Sequence, residues 1–97
     1  MAAFLERIER LNPTINAIVS LRPHDELMAE ARKADGETPC GWLHGLPIAI
    51  KDLLQTKGLR TTFGSPIHRD FVPAADDQVA ARIRASGAII IGKTNTS

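Results

Sequence analysis

Lys51 and Asp52 are the residues whose placement most suggests chemistry. They close the run Gly45-Leu46-Pro47-Ile48-Ala49-Ile50, so a cation and an anion follow directly on six uncharged residues. Shielding from water disfavours the ammonium form of lysine and lowers its pKa, by as much as ~3–5 units on full enclosure. Such an amine can be neutral near pH 7 and serve as a general base. A solvated lysine with Asp52 as a casual neighbour is the competing reading, because lysines are seldom fully buried unless paired.

Other chemistry-bearing residues offer less. Gly87-Ala88-Ile89-Ile90-Ile91-Gly92-Lys93-Thr94 spells the phosphate-loop pattern GxxxxGK[ST]. That loop requires a strand before its first glycine and a helix after its lysine. Here a helical segment comes first, and three β-branched isoleucines occupy the supposed flexible stretch. Nucleotide binding is therefore refused. His24, His44 and His68 lie on separate segments without metal-like spacing. Asp76-Asp77 reads as a helix start rather than a metal pair. Cys40 stands in a Pro/Gly loop with no nearby base and reads as no nucleophile, Ser65-Pro66 reads as a helix cap, and Trp42 reads as a core or inter-domain plug.

The elements that must position Lys51 can be read from periodicity. Residues 46–51 form a strand in which Leu46, Ile48 and Ile50 alternate with Pro47, Ala49 and Lys51. Both sets are apolar up to Lys51, which predicts a strand covered on both sides. Ligands in open α/β sheets bind beyond the carboxyl ends of strands, which is where Lys51 would stand. Residues 88–92 form a second two-sided apolar strand, and helix 76–86 lies in the crossover between them, with Val79, Ala80 and Ile83 inward. Upstream, a helix is expected over Ala2–Leu11, stopped by Asn12-Pro13, then a strand over Ile15–Leu21 and a helix over His24–Ala34 ending near Gly36. The fold class is α/β.

Composition excludes several functions. Twelve basic and eleven acidic side chains leave a net charge of +1 in 97 residues, so nothing steers the chain to nucleic acid or an anionic membrane surface. Four aromatics, none of them tyrosine, make no stacking platform for single strands. One cysteine excludes an internal disulfide and a Cys-based zinc cluster, and fits a reducing cytoplasmic setting. No apolar run approaches the ~20 residues of a membrane-spanning helix.

Three stretches, taken in order, resemble the amino-terminal part of the amidase signature family. They are Gly45 to Asp52, then Thr61-Thr62-Phe63-Gly64-Ser65, then Gly87 to Asn95. Leu11-Asn12-Pro13-Thr14-Ile15-Asn16-Ala17 is similar to the start of that family's fold. The resemblance implies hydrolysis of carboxamides by a Ser–cis-Ser–Lys arrangement without a cofactor, with Lys51 as its lysine. Lys51 would deprotonate a nucleophilic serine through a bridging serine, and water would release the acyl group. Both serines of the family lie well downstream of the lysine, and neither Ser65 nor Ser97 matches them. The expectation is then an incomplete amino-terminal segment, residues 1–97, that carries Lys51 alone and is inactive in isolation. It would self-associate to cover exposed strands, and a small-molecule amide would be the substrate of the full-length form. A non-catalytic α/β binding or assembly module of the same descent is the alternative.

Overall fold

The computed structural model describes residues 1–96 as three helices around a three-stranded sheet. Helix α1 spans Ala2–Ile15, strand β1 Ile18–Leu21, helix α2 His24–Asp35, strand β2 Pro47–Lys51, helix α3 Gln78–Ala85 and strand β3 Ile89–Thr94. A single 3-10 turn at Pro66–His68 follows Ser65, whose Oγ accepts from the Ile67 amide at 3.3 Å. Ser65 caps, as its sequence suggested.

The strands lie in the order β1-β3-β2, with β2 parallel and β1 antiparallel to β3. The strand buried along nearly its whole length is β3, where Ile89, Ile90, Ile91, Gly92 and Lys93 are all buried, whereas β2 has neighbours on both faces but is mostly half-buried. Strand β2 forms a sheet edge, and only Ile50 is fully buried along it. On one face Ile89, Ile91 and Ala49 pack with Leu5 of α1 and with Leu27, Met28, Ala31 and Ala34 of α2. On the other, Ile48, Ile50 and Ile90 pack with Leu54, Leu59 and Ile83. Burying each large aliphatic side chain in these layers stabilises the fold by roughly 1.5–3 kcal/mol.

Several boundaries differ from those expected. Helix α1 runs through Pro13 to Ile15, because a proline in the last turn forfeits one hydrogen bond while the next turn still closes. Asn16 ends it in the left-handed conformation, φ 54°, and its amide donates to Asn12 O. The Asn12 carboxamide then grips both backbone groups of Ile18 at 2.9 Å, which delays β1 to that residue. Helix α3 starts at Gln78, since Asp77 is the cap that accepts from the Val79 amide at 2.8 Å. Val79 faces outward, half exposed, leaving Ala80 and Ile83 as the inward residues. Trp42 is 99% exposed and plugs no core.

Candidate functional site

Lys51 occupies the last position of β2 and pairs with Thr94 of its parallel neighbour. The strand-end location is the one expected. There the Lys51 side chain is exposed, as in the solvated reading. None of the three described serines hydrogen-bonds to it. Ser20 accepts from Arg60, Ser65 caps its turn, and Ser86 donates to Arg82 O. Ser97 lies outside the described residues.

The enclosed amine belongs to Lys93 of β3. Its side chain is wholly buried, and Nζ donates to Thr61 Oγ1 at 2.9 Å and to the Leu54 carbonyl. Burial pushes the Lys93 pKa below its ordinary value, and the charge of Asp52, whose Oδ1 is 3.8 Å from Nζ, opposes that fall. Asp52 is buried too. Its carboxylate accepts from the Thr62 amide at 3.0 Å and from the Thr62 hydroxyl. The Asp52 amide donates to Thr94 O at 3.0 Å, which carries the parallel pairing one residue past Lys51.

Three stretches that are remote in sequence thus meet at one end of the sheet: Lys51-Asp52, Thr61-Thr62 and Lys93-Thr94. The two buried charges among them, Asp52 and Lys93, are paired and hydrogen-bonded, the condition under which burial is tolerated. The loop following Thr62 turns back through two positive backbone angles, Phe63 (φ 55°) and Gly64 (φ 70°). Phe63 stacks on Phe71 at 6.2 Å and meets His68 edge-on at 5.2 Å. A Cβ on Gly64 would lie 2.5 Å from Thr96 Oγ1, so this loop reaches the same end of the sheet as Lys51.

Sequence reasoning missed Lys93: it stands in the refused phosphate loop and in one of the stretches of resemblance, and neither reading gives it a role of its own. One signal was available: like Lys51, it ends an apolar strand. Cys40 was also misread, for His44 Nδ1 lies 3.4 Å from its Sγ. Among the described residues no cluster of three or more His, Cys, Asp or Glu side chains could hold a metal ion.

The model of the family described as Amidase matches residues 1–97. A glutamyl-tRNA(Gln) amidotransferase subunit from Bdellovibrio bacteriovorus is 48% identical over 95 residues, 95% of this chain and 19% of that protein. A putative amidase, AmiD, of Mycobacterium bovis is 47% identical over 93 residues, 92% of this chain and 19% of its own length. The crystal structure of the peptide amidase from Stenotrophomonas maltophilia superposes with a TM-score of 0.84 at 34% identity, covering 99% of this chain and 20% of that one. The chain spans about a fifth of the length of the curated relatives it matches.

Proposed function

Because this chain belongs to the amidase family, we propose that it is the amino-terminal segment of an enzyme that hydrolyses small-molecule carboxamides, with Lys51 as its general base. The supporting observation is the position of Lys51 at the carboxyl end of a parallel strand pair, next to an aspartate locked into the interior. An amine held there by a rigid backbone presents its charge at the edge where α/β sheets bind ligands. In a complete site, Lys51 accepts a proton from a bridging serine, which in turn deprotonates the nucleophilic serine. The serine oxygen adds to the amide carbon, the C–N bond breaks, and ammonia or an amine leaves with a proton. Water then hydrolyses the acyl-enzyme.

Both serines come from a part of the enzyme beyond residues 1–97, and the isolated chain is inactive. Its exposed Lys51, with no serine bonded to it among the described residues, supports this reading. The isolated chain forms homo-oligomers and takes no nucleic acid or membrane partner. The setting is cytoplasmic.

The test replaces the matching segment of the Stenotrophomonas maltophilia peptide amidase with residues 1–97 and follows ammonia release from a peptide amide. The chimera is expected to turn over, and Lys51→Ala to lower kcat by about a thousandfold or more with an unchanged thermal midpoint. A folded Lys51→Ala chimera that keeps its activity would refute the role.

A further inference from the structure

Lys93 is a wholly buried amine to which the proposed chemistry gives no task. Its donors are spent on the chain just after Lys51. Nζ donates to the Leu54 carbonyl and to Thr61 Oγ1, and Asp52 Oδ1 lies 3.8 Å away. Leu54 is the fourth residue of the turn that Lys51 begins, for its amide donates to Lys51 O at 3.1 Å. Asp52 is the second residue of that turn. Lys93 therefore grips the turn at two points, the Asp52 carboxylate and the Leu54 carbonyl, and the Lys51 backbone is held by the same turn.

Stability alone does not account for an ammonium in this place. Replacing a buried ion pair by apolar residues of similar volume is often neutral or stabilising. Lys93 stands opposite Ile50 in the sheet, on the side where Ile50, Ile90 and Leu59 pack together, and a methionine would suit such surroundings. What the amine adds is direction, because only a donor can hold the Leu54 carbonyl and the Asp52 carboxylate in one arrangement. Asp52 extends the hold further. Thr62 Oγ1 donates to Asp52 and accepts from the Gly64 amide at 3.2 Å, so the loop that returns to this end of the sheet is anchored by the same pair.

We propose that Lys93 is the positioning residue of the general base: through Asp52 and the Leu54 carbonyl it holds the turn that begins at Lys51, so that the Lys51 amine meets the bridging serine at hydrogen-bond distance. This role rests on Lys51 being that base, and Lys93 itself touches no reacting atom. A catalytic group displaced by about 1 Å can lose on the order of a hundredfold in rate.

The chimera that carries residues 1–97 within the peptide amidase is the protein to test, assayed by ammonia release well below its thermal midpoint. Lys93→Met is expected to lower kcat about a hundredfold with KM unchanged, because the base acts only in the chemical step. In the double variant Asp52→Asn, Lys93→Met no buried charge is left unpaired, so its thermal midpoint is expected to match or exceed that of Lys93→Met. Its kcat is expected to stay low all the same, for neither substitution returns a donor to the Leu54 carbonyl. A purely structural role would let activity come back with stability. Should Lys93→Met fail to fold, Thr61→Val removes one acceptor at nearly constant shape, and kcat is expected to fall about tenfold with KM again unchanged. Unchanged kcat in a folded variant, a loss carried wholly by KM, or kcat recovering with the thermal midpoint in the double variant would each overturn the proposal. Activity retained by Lys51→Ala would remove the base and the positioning role together. An inactive Lys51→Ala beside a fully active Lys93→Met would overturn the positioning role alone.

Discussion

Lys93 Nζ lies 3.8 Å from Asp52 Oδ1, with both side chains removed from water. The contact fastens the residue after Lys51 to the central strand of the sheet. It therefore fixes where the backbone of Lys51 ends, although Lys51 itself points into solvent.

Removing one partner of this pair is expected to cost far more than a surface ion pair would. Asp52→Ala strands the Lys93 ammonium in the interior and takes the acceptors from the Thr62 amide and hydroxyl. A loss of about 3 kcal/mol or more is expected from urea denaturation. Lys93→Met, which leaves Asp52 its donors from Thr62, should cost less. The reverse order would mean that the carboxylate, not the ammonium, is the costlier charge to leave alone.

Stability should depend on pH through Lys93 with a definite sign. Its pKa in the folded chain is lowered, chiefly by burial, below the ordinary 10.5. Between the two values the unfolded chain binds more protons, so stability rises with pH across that window. The cost of keeping the buried ammonium is fully present below it. Urea midpoints measured over the alkaline range should climb more steeply in the wild type than in Lys93→Met. Parallel slopes would show that Lys93 does not titrate in the fold.

Asp76 joins the loop after β2 to α3. It accepts from the Lys57 amide at 2.8 Å and from Arg84 Nε and NH2 at 2.9 and 3.1 Å. Hydrogen bonding to Arg84 is the main reason its pKa falls below the ordinary 3.8. The stabilisation is present above that value and is lost as pH drops through the lowered one. Arg84 is substantially exposed, so screening limits the effect, and Asp76→Asn is expected to cost only about 0.5–1 kcal/mol. The same substitution should flatten the acid limb of a thermal-midpoint curve.

One face of α1 carries Phe4 and Ile15, 56% and 62% exposed, around a groove that Leu11 and Ile18 also line. Exposed contiguous apolar surface favours association. Sedimentation velocity of the 97-residue chain is expected to show a concentration-dependent dimer or larger species, reduced in the Phe4→Glu, Ile15→Glu variant. A monomer at every concentration would remove this expectation.

Much of the scaffold was legible because it rests on local periodicity. The helix expected over His24–Ala34 forms and turns Leu27, Met28, Ala31 and Ala34 to the core, and the parallel pairing of residues 46–51 with 88–92 follows from two apolar runs bridged by a helix. Helix ends were less legible. Pro13 was given more authority than a final turn grants it, and the reach of the Asn12 side chain to Ile18 depends on how the chain folds back.

The sequence by itself determined that Lys51 ends a strand, for that needs only alternation and a change of polarity within one short run. Which lysine is buried was decided by tertiary structure. Strict alternation along β3 would put Lys93 on the face of Ile89 and Ile91, beside the helices α1 and α2. Instead the register moves from Ile48 opposite Ile90 to Ile50 opposite Lys93, which inserts one extra residue into β3 and turns Lys93 to the side of Ile50, Thr61 and Asp52. A bulge of this kind is set by the neighbouring strands, among them β1, whose Ser20 carbonyl leaves no room for a Cβ at Gly92. The pairing of Cys40 with His44 has the same origin, since the turn at Ser86-Gly87 holds their loop in place from a distant part of the chain.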